Sequence, residues 1–247
     1  SDVCSSDLLT MSKPVIVTCD SACDLSPAHR EQYGIGVTAM YIHQGPDTCR
    51  DGVDIAPDDI YRIYEQTGTL PQTSSIPPEE YLAYFQRFTQ AGNAVVHVAL
   101  SSGISSTCQN AVIAASELED VYVLDSQALS CSGGLLAVQA CRMRDEGMDA
   151  KAIAEALEDR IPRTVTSFIV GSLTFLSKGG RCSAVTAFGA NLMGIKPAVE
   201  MHGGTLSVGK KYRGKTEACY QSFLRDKLQI ASQQSDGGTC CLYHAGI

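Results

Sequence analysis

A chain of 247 residues that is 44% hydrophobic can bury a substantial core, in one large domain or two smaller ones. Its 27 acidic and 19 basic side chains give a formal charge of −8, which argues against nucleic acid as a partner. No apolar run is long enough to cross a bilayer, so stable membrane insertion is not expected.

The first eight residues, SDVCSSDL, resemble the translation of a sequencing-adapter stretch. A natural start at Met11 is therefore expected, with residues 1–10 an artefactual, disordered leader. Without Asp2 and Asp7 the charge becomes −6 instead of −8. Residues 15–18 read as a strand that ends in Cys19-Asp20-Ser21, followed by a helix with Pro27 in its first turn. Residues 35–42 read as a second strand. Pro57-Asp58-Asp59 opens a helix through Tyr64 that Gly68 closes. The next helix follows Pro77-Pro78 and carries Tyr81, Leu82, Phe85 and Phe88 at helical spacing, as core residues.

Residues 95–111, VVHVALSSGISSTCQNA, read as strand, serine-rich turn and then helix from Cys108 to Leu118. Unpaired N–H groups and a partial positive charge at a helix start attract an anion, and Gly103 allows close backbone approach. Taken alone, the segment favours capping over a ligand: Ser105 or Ser106 can close the helix start, as such residues routinely do. A strand at residues 121–124 ends in Asp125-Ser126 and is followed by a helix over residues 134–145. Three strands thus end in hydroxyl-bearing turns. Strands alternating with helices imply a parallel sheet, whose ligands gather at the carboxyl ends of its strands.

Residues 147–159 form one more amphipathic pattern, broken at Ile161-Pro162. A second unit begins with a strand at residues 165–170 and includes a helix near residues 185–193. Two runs, 195–200 and 205–208, flank Gly203-Gly204 as an antiparallel hairpin. A helix at residues 216–230 and a strand at residues 239–243 complete the pattern.

Eleven cysteines show no CxxC pair and no Cys/His cluster of zinc type; Cys19 and Cys23 have three residues between them. Cys240 and Cys241 are expected on opposite sides of a strand. Scattered reduced thiols acting as small hydrophobes point to the cytoplasm, with no metal and no cofactor. Residues 209–216, GKKYRGKT, satisfy the P-loop pattern between a strand and a helix. Their bulky interior and hairpin context oppose a phosphate cradle and favour a basic edge or partner-docking patch. A serine hydrolase is the other alternative. No G-x-S-x-G elbow is present, and the histidines (His29, His43, His97, His202 and His244) show no obvious pairing in the sequence.

Taken in order, CDSACDL (19–25), TSSIPPEEY (73–81), SSGISSTCQNA (101–111), DSQALSCSGG (125–134), LTFLSKGGR (173–181), IKPAV (195–199) and KYRGK (211–215) resemble the DegV family of bacterial fatty-acid-binding proteins. The resemblance implies an α/β fold in two domains. The N-terminal domain (11–162) would hold a parallel Rossmann-like sheet with helices on both faces. A smaller C-terminal α/β domain (163–247) would have a mainly antiparallel sheet. It further implies one long-chain fatty acid, such as palmitate or oleate, in a tunnel between the domains. The carboxylate would be held by Thr73 with Ser74 beside it, by Ser101 and Ser102, with Ser102 favoured, and by Arg181. Hydroxyls and a guanidinium suit a carboxylate or an acyl phosphate. On this resemblance the protein is no enzyme. It presents the fatty acid to a separate ATP-dependent fatty acid kinase, and residues 210–215 are a candidate docking face.

The chain departs from the family pattern at Ser75 and Ile76, at Ser106 where glycine is usual, and at Cys108 where an aromatic is common. The resemblance also implies a further C-terminal segment with a ligand histidine beyond Tyr243-His244-Ala245. The chain is thus expected to be C-terminally truncated, and His244 is not that ligand.

Overall fold

The computed structural model describes residues 12–182, 194–234 and 241. In chain order, β1 (Val15–Asp20), α1 (Pro27–Tyr33), β2 (Gly36–Thr38), β3 (Tyr41–Gln44), β4 (Asp47–Arg50) and α2 (Pro57–Thr67) come first. Then come β5 (Gln72–Ser74), α3 (Pro78–Thr89), β6 (Ala94–Ala99), α4 (Thr107–Ala115), β7 (Val121–Asp125), α5 (Cys131–Asp145) and α6 (Ala150–Glu158). The last described elements are β8 (Ser167–Ile169), α7 (Thr174–Gly179), β9 (Ile195–His202), β10 (Thr205–Arg213) and α8 (Thr216–Gln234).

Strand β6 is buried at all six positions, as a central strand covered on both faces must be. It lies in a parallel sheet of order β2-β1-β6-β7, with Val15 opposite Ala94 and Val95 opposite Val121. Successive side chains point to opposite faces, and each face has its own helical cover. Val96 and Val98 join Val17 against Leu136 of α5 and Leu157 of α6. Val95 and Leu100 pack instead with Tyr81 and Phe85 of α3 and Ala111 of α4. Burying aromatics of that size contributes about 1.5–3 kcal/mol each. Tyr81 and Phe85 are fully buried, while Leu82 and Phe88 pack partly buried at the margin.

The parallel order brings the ends of β1, β6 and β7 to one edge, where the hydroxyl-bearing turns were expected. One expected strand is corrected. Residues 35–42 divide into β2, parallel to β1, and β3, which pairs antiparallel with β4 and β5 in a second sheet of order β4-β3-β5. The chain turns away after Thr38, and Met40 N–H is taken up by Ser21 Oγ at 3.2 Å. Strand β4 escaped the sequence reading because Asp47-Thr48-Cys49-Arg50 is polar and mostly exposed, with no apolar alternation to mark it.

The hairpin expected around Gly203-Gly204 is present: β9 and β10 pair antiparallel from Thr205–His202 to Arg213–Ile195, and β8 adds to β9 on the other side. Its second strand runs further than expected and absorbs most of the GKKYRGKT segment. Gly209 to Arg213 is extended strand rather than phosphate-binding loop, and Lys210 Nζ is bonded to Asp226 Oδ2 at 2.6 Å. The strand context is the hairpin edge that the bulky interior of this segment favoured over a P-loop. Two helices also shift. The α4 helix starts at Thr107 and stops at Ala115, and α6 begins after Asp149, whose carboxylate accepts from Ala152 N–H at 2.8 Å. The leader, the helix near 185–193, the strand at 239–243 apart from Cys241, and His244 lie outside the described residues.

Candidate functional site

A buried carboxylate sits beneath the edge where β1 and β6 end. Asp20 closes β1, is fully buried, and accepts from Leu100 N–H at 2.7 Å and Thr38 Oγ at 3.0 Å. The Tyr81 hydroxyl donates to the same carboxylate, which leaves Thr107 Oγ to donate to Tyr81 at 2.9 Å. His97 Nε2 lies 3.3 Å from Asp20 Oδ1, off the line of a hydrogen bond, while its Nδ1 meets Thr18 Oγ at 2.8 Å. Burial alone would raise the Asp20 carboxyl. The His97 ring, the Tyr81 hydroxyl and the Leu100 N–H outweigh it and hold the carboxyl below its ordinary value. Burial, and then the Asp20 charge, push the Tyr81 hydroxyl far up. This network joins β1, β2, α3, β6 and α4 directly below the turn that carries Ser101 and Ser102. It was missed in the sequence because its members are scattered between residues 18 and 107 with no motif linking them.

Thr73 is on the edge strand β5 rather than at a helix start. Its hydroxyl oxygen accepts from Arg181 Nη2 at 3.3 Å, and Arg181 Nη1 donates to Gly179 O at 2.6 Å. The C-terminal turn of α7 thus aims the guanidinium at β5. Both residues are exposed, and what they still offer is donors: the Thr73 proton and the remaining guanidinium N–H groups. An anion is the matching ligand. Ser74, one residue on, faces the other side of the strand, where its hydroxyl meets His43 Nε2 at 2.7 Å. The structure therefore joins Thr73 with Arg181 and separates Ser74 from them.

The two serines of the β6–α4 turn also diverge. Ser101 is fully buried and donates to Gly204 O at 2.7 Å, at the tip of the β9–β10 hairpin. Ser102 is exposed and donates to Asp125 Oδ2 at 2.5 Å, while its N–H donates to Asp125 Oδ1 at 3.1 Å. Ser106, in the cap position of α4, makes no side-chain cap; Ser105 Oγ instead accepts from Thr107 N–H at 3.2 Å. Ser106 Oγ reaches across to Ser75 Oγ at 2.9 Å, and Asn110 holds Ile76 O at 2.8 Å. Two of the positions that depart from the DegV-like pattern, Ser75 and Ser106, are thus bonded to each other. That bond ties the segment carrying Thr73 to the start of α4. At Cys108 the thiol is buried and pushed up by burial to about 12, as suits a core filler.

Beside the Thr73–Arg181 pair lies an open apolar cleft of about 310 Å³, lined by Ile42, Ile60, Tyr61, Leu70 and Phe175 among others. Ile42 is the direct cross-strand partner of Thr73, so the cleft and the donor pair share one face of the small sheet. Phe175 of α7 packs edge-on to Tyr61 and Tyr64 of α2 at 5.3 and 4.9 Å, which fixes the helix that presents Arg181. Among the described residues no group of three or more His, Cys, Asp or Glu side chains could hold a metal ion. Nor is any helix among them long and apolar enough to cross a membrane. The described histidines bond to Ser26, to Thr48 and Ser74, to Thr18, or to Glu200. None of those bonds reaches Ser101 or Ser102, so among the described residues neither serine is hydrogen-bonded to an imidazole.

The chain is similar to several known proteins. A DegV domain-containing protein of Clostridium perfringens is 32% identical over 206 residues, which cover 83% of this chain and 74% of the relative. Another, from Clostridium acetobutylicum, is 32% identical over 210 residues, covering 84% and 75%. Among solved structures, a fatty-acid-binding DegV family protein from Thermus thermophilus superposes with a TM-score of 0.80 at 27% identity, over 88% of this chain and 78% of that one. A stearic-acid-binding protein from Eubacterium ventriosum gives 0.78 at 27%, over 88% and 76%. The family profile described as "Uncharacterised protein, DegV family" matches residues 14–246. A match across nearly the whole chain, on the α/β architecture these relatives share, means that the chain belongs to the DegV family.

Proposed function

We propose that this protein is a carrier for one long-chain fatty acid, such as palmitate or oleate, and performs no catalysis itself. The reading divides the chain near residue 162 into two domains, 11–162 and 163–247, with the acyl chain running in a tunnel between them. The observation that carries it is the Thr73–Arg181 pair, two exposed donors on the same sheet face as an apolar cleft. Cleft and donors match the two ends of a fatty acid. Each CH₂ removed from water contributes about 0.8 kcal/mol, so the tail supplies most of the affinity and the donors fix the carboxylate. Ser102 joins them by turning its proton from Asp125 to the ligand. Ser74 and Ser101 stand behind this set rather than in it: Ser74 faces His43 on the other side of β5, and the Ser101 proton is held by Gly204 O. The fatty-acid-binding relatives from Thermus thermophilus and Eubacterium ventriosum support this ligand class. In a titration with oleate, uptake is expected to saturate at one molecule per chain. Absence of saturable uptake of either palmitate or oleate would reject the proposal.

The carrier reading includes a cytoplasmic location and a partner, an ATP-dependent fatty acid kinase that phosphorylates the presented carboxyl group. The basic segment 210–215, in an otherwise acidic protein, is a docking face of suitable charge. Charge reversal at Lys211 and Arg213 is expected to weaken the complex with such a kinase while leaving oleate uptake unchanged. Equal loss of both would refute docking through this segment.

A further inference from the structure

We propose that Ser101 is a positioning residue, a latch that couples the β9–β10 hairpin tip to the ligand turn, and does not itself touch the ligand. This rests on the fatty-acid-carrier reading. Its hydroxyl is fully buried and has both roles filled: it donates to Gly204 O at 2.7 Å and accepts from Gly103 N–H at 3.3 Å. Nothing is left over for a carboxylate, which needs the proton that Gly204 already holds.

The two glycines show how closely the hairpin is seated. A Cβ on Gly103 would stand 2.4 Å from Gly204 O, and one on Gly204 would stand 2.8 Å from Ser101 Oγ. Gly204 also has φ +78°, in the region that favours glycine. The hairpin tip therefore fits against the turn only because both positions lack side chains. Gln127, two residues past β7, is its next neighbour, and Gln127 N–H shares Asp125 Oδ1 with Ser102 N–H. The tip, Ser101, and the Asp125 clamp on Ser102 form one continuous contact. Loosening the tip should release the geometry of Ser102 at the rim.

Two variants test this without depending on each other. Ser101→Ala removes the latch hydroxyl at nearly constant volume. Gly103→Ala keeps the hydroxyl and pushes the tip away with a methyl group. Both are expected to speed amide exchange across residues 202–206 and to weaken oleate binding about 3- to 10-fold, the value of one hydrogen bond. Exchange at β6 should stay at the wild-type level, which separates a latch from general loss of fold. If Ser101→Ala weakens binding while hairpin exchange is unchanged and Gly103→Ala binds normally, Ser101 is a direct ligand and the proposal is wrong. Looser hairpin exchange with unaltered affinity would also overturn it. A wild-type protein that binds no oleate would refute the carrier reading separately, because the exchange experiment needs no ligand.

Discussion

Asp20→Ala is expected to lower the free energy of unfolding by about 3–5 kcal/mol, the range for breaking a buried charged network by removing one partner. For a chain of this size that is a fall in Tm on the order of 10 °C. The cost comes from what stays behind: a Leu100 N–H and a Tyr81 hydroxyl, both buried, would lose their acceptor. Asp20→Asn keeps the shape but turns an amide N–H₂ toward groups that are already donors, so it should lie between alanine and wild type. Urea unfolding of the three proteins measures this, and a difference under 0.5 kcal/mol for the alanine variant, roughly a neutral surface change, would contradict it. The pH dependence follows from the same network. A carboxyl held below its ordinary value of 3.8 contributes stability that is complete above that value and is lost as pH falls through the lower folded-state value. The Asp20→Asn protein lacks this component, so its stability should fall less steeply through the acid range below pH 3.8.

Arg181→Gln is expected to weaken oleate binding about 10- to 100-fold, the equivalent of one charge-assisted hydrogen bond. Thr73→Ala should cost about 3- to 10-fold, as one neutral bond. The two effects should not add, because the Thr73 that the carrier reading places on the ligand also accepts from Arg181. Both side chains are exposed, so neither change should alter stability by more than about 0.5 kcal/mol. Titration alongside thermal unfolding checks both halves. Wild-type affinity in Arg181→Gln would remove the guanidinium from the site.

The parallel sheet was legible in the sequence because β6 and its neighbours are continuous apolar runs closed by polar turns, a pattern that needs no long-range information. The hairpin was legible from Gly203-Gly204 between two extended runs. The small β4-β3-β5 sheet was not, since β4 is polar and β5 is three residues of Gln, Thr and Ser. The site followed the same division. Thr73 and Arg181 could be named from a family resemblance, but their meeting depends on α7 folding against α2 through Phe175, a contact between residues more than a hundred positions apart. Ser101 and Ser102 are adjacent and look equivalent, yet one is buried under the hairpin tip and the other opens to solvent beside Asp125. Only the register of the sheet and the seating of the hairpin distinguish them. The Ser75–Ser106 bond makes the same point: two substitutions that look independent in sequence form one contact in space.

The measurement that tests the central claim most directly is mass spectrometry of lipid extracted from the protein after purification without detergent. The carrier reading predicts close to one long-chain fatty acid per chain, depleted in a Thr73→Ala/Arg181→Gln double variant that unfolds like the wild type. A folded wild-type protein that carries no fatty acid, or a double variant that carries as much as the wild type, would contradict it.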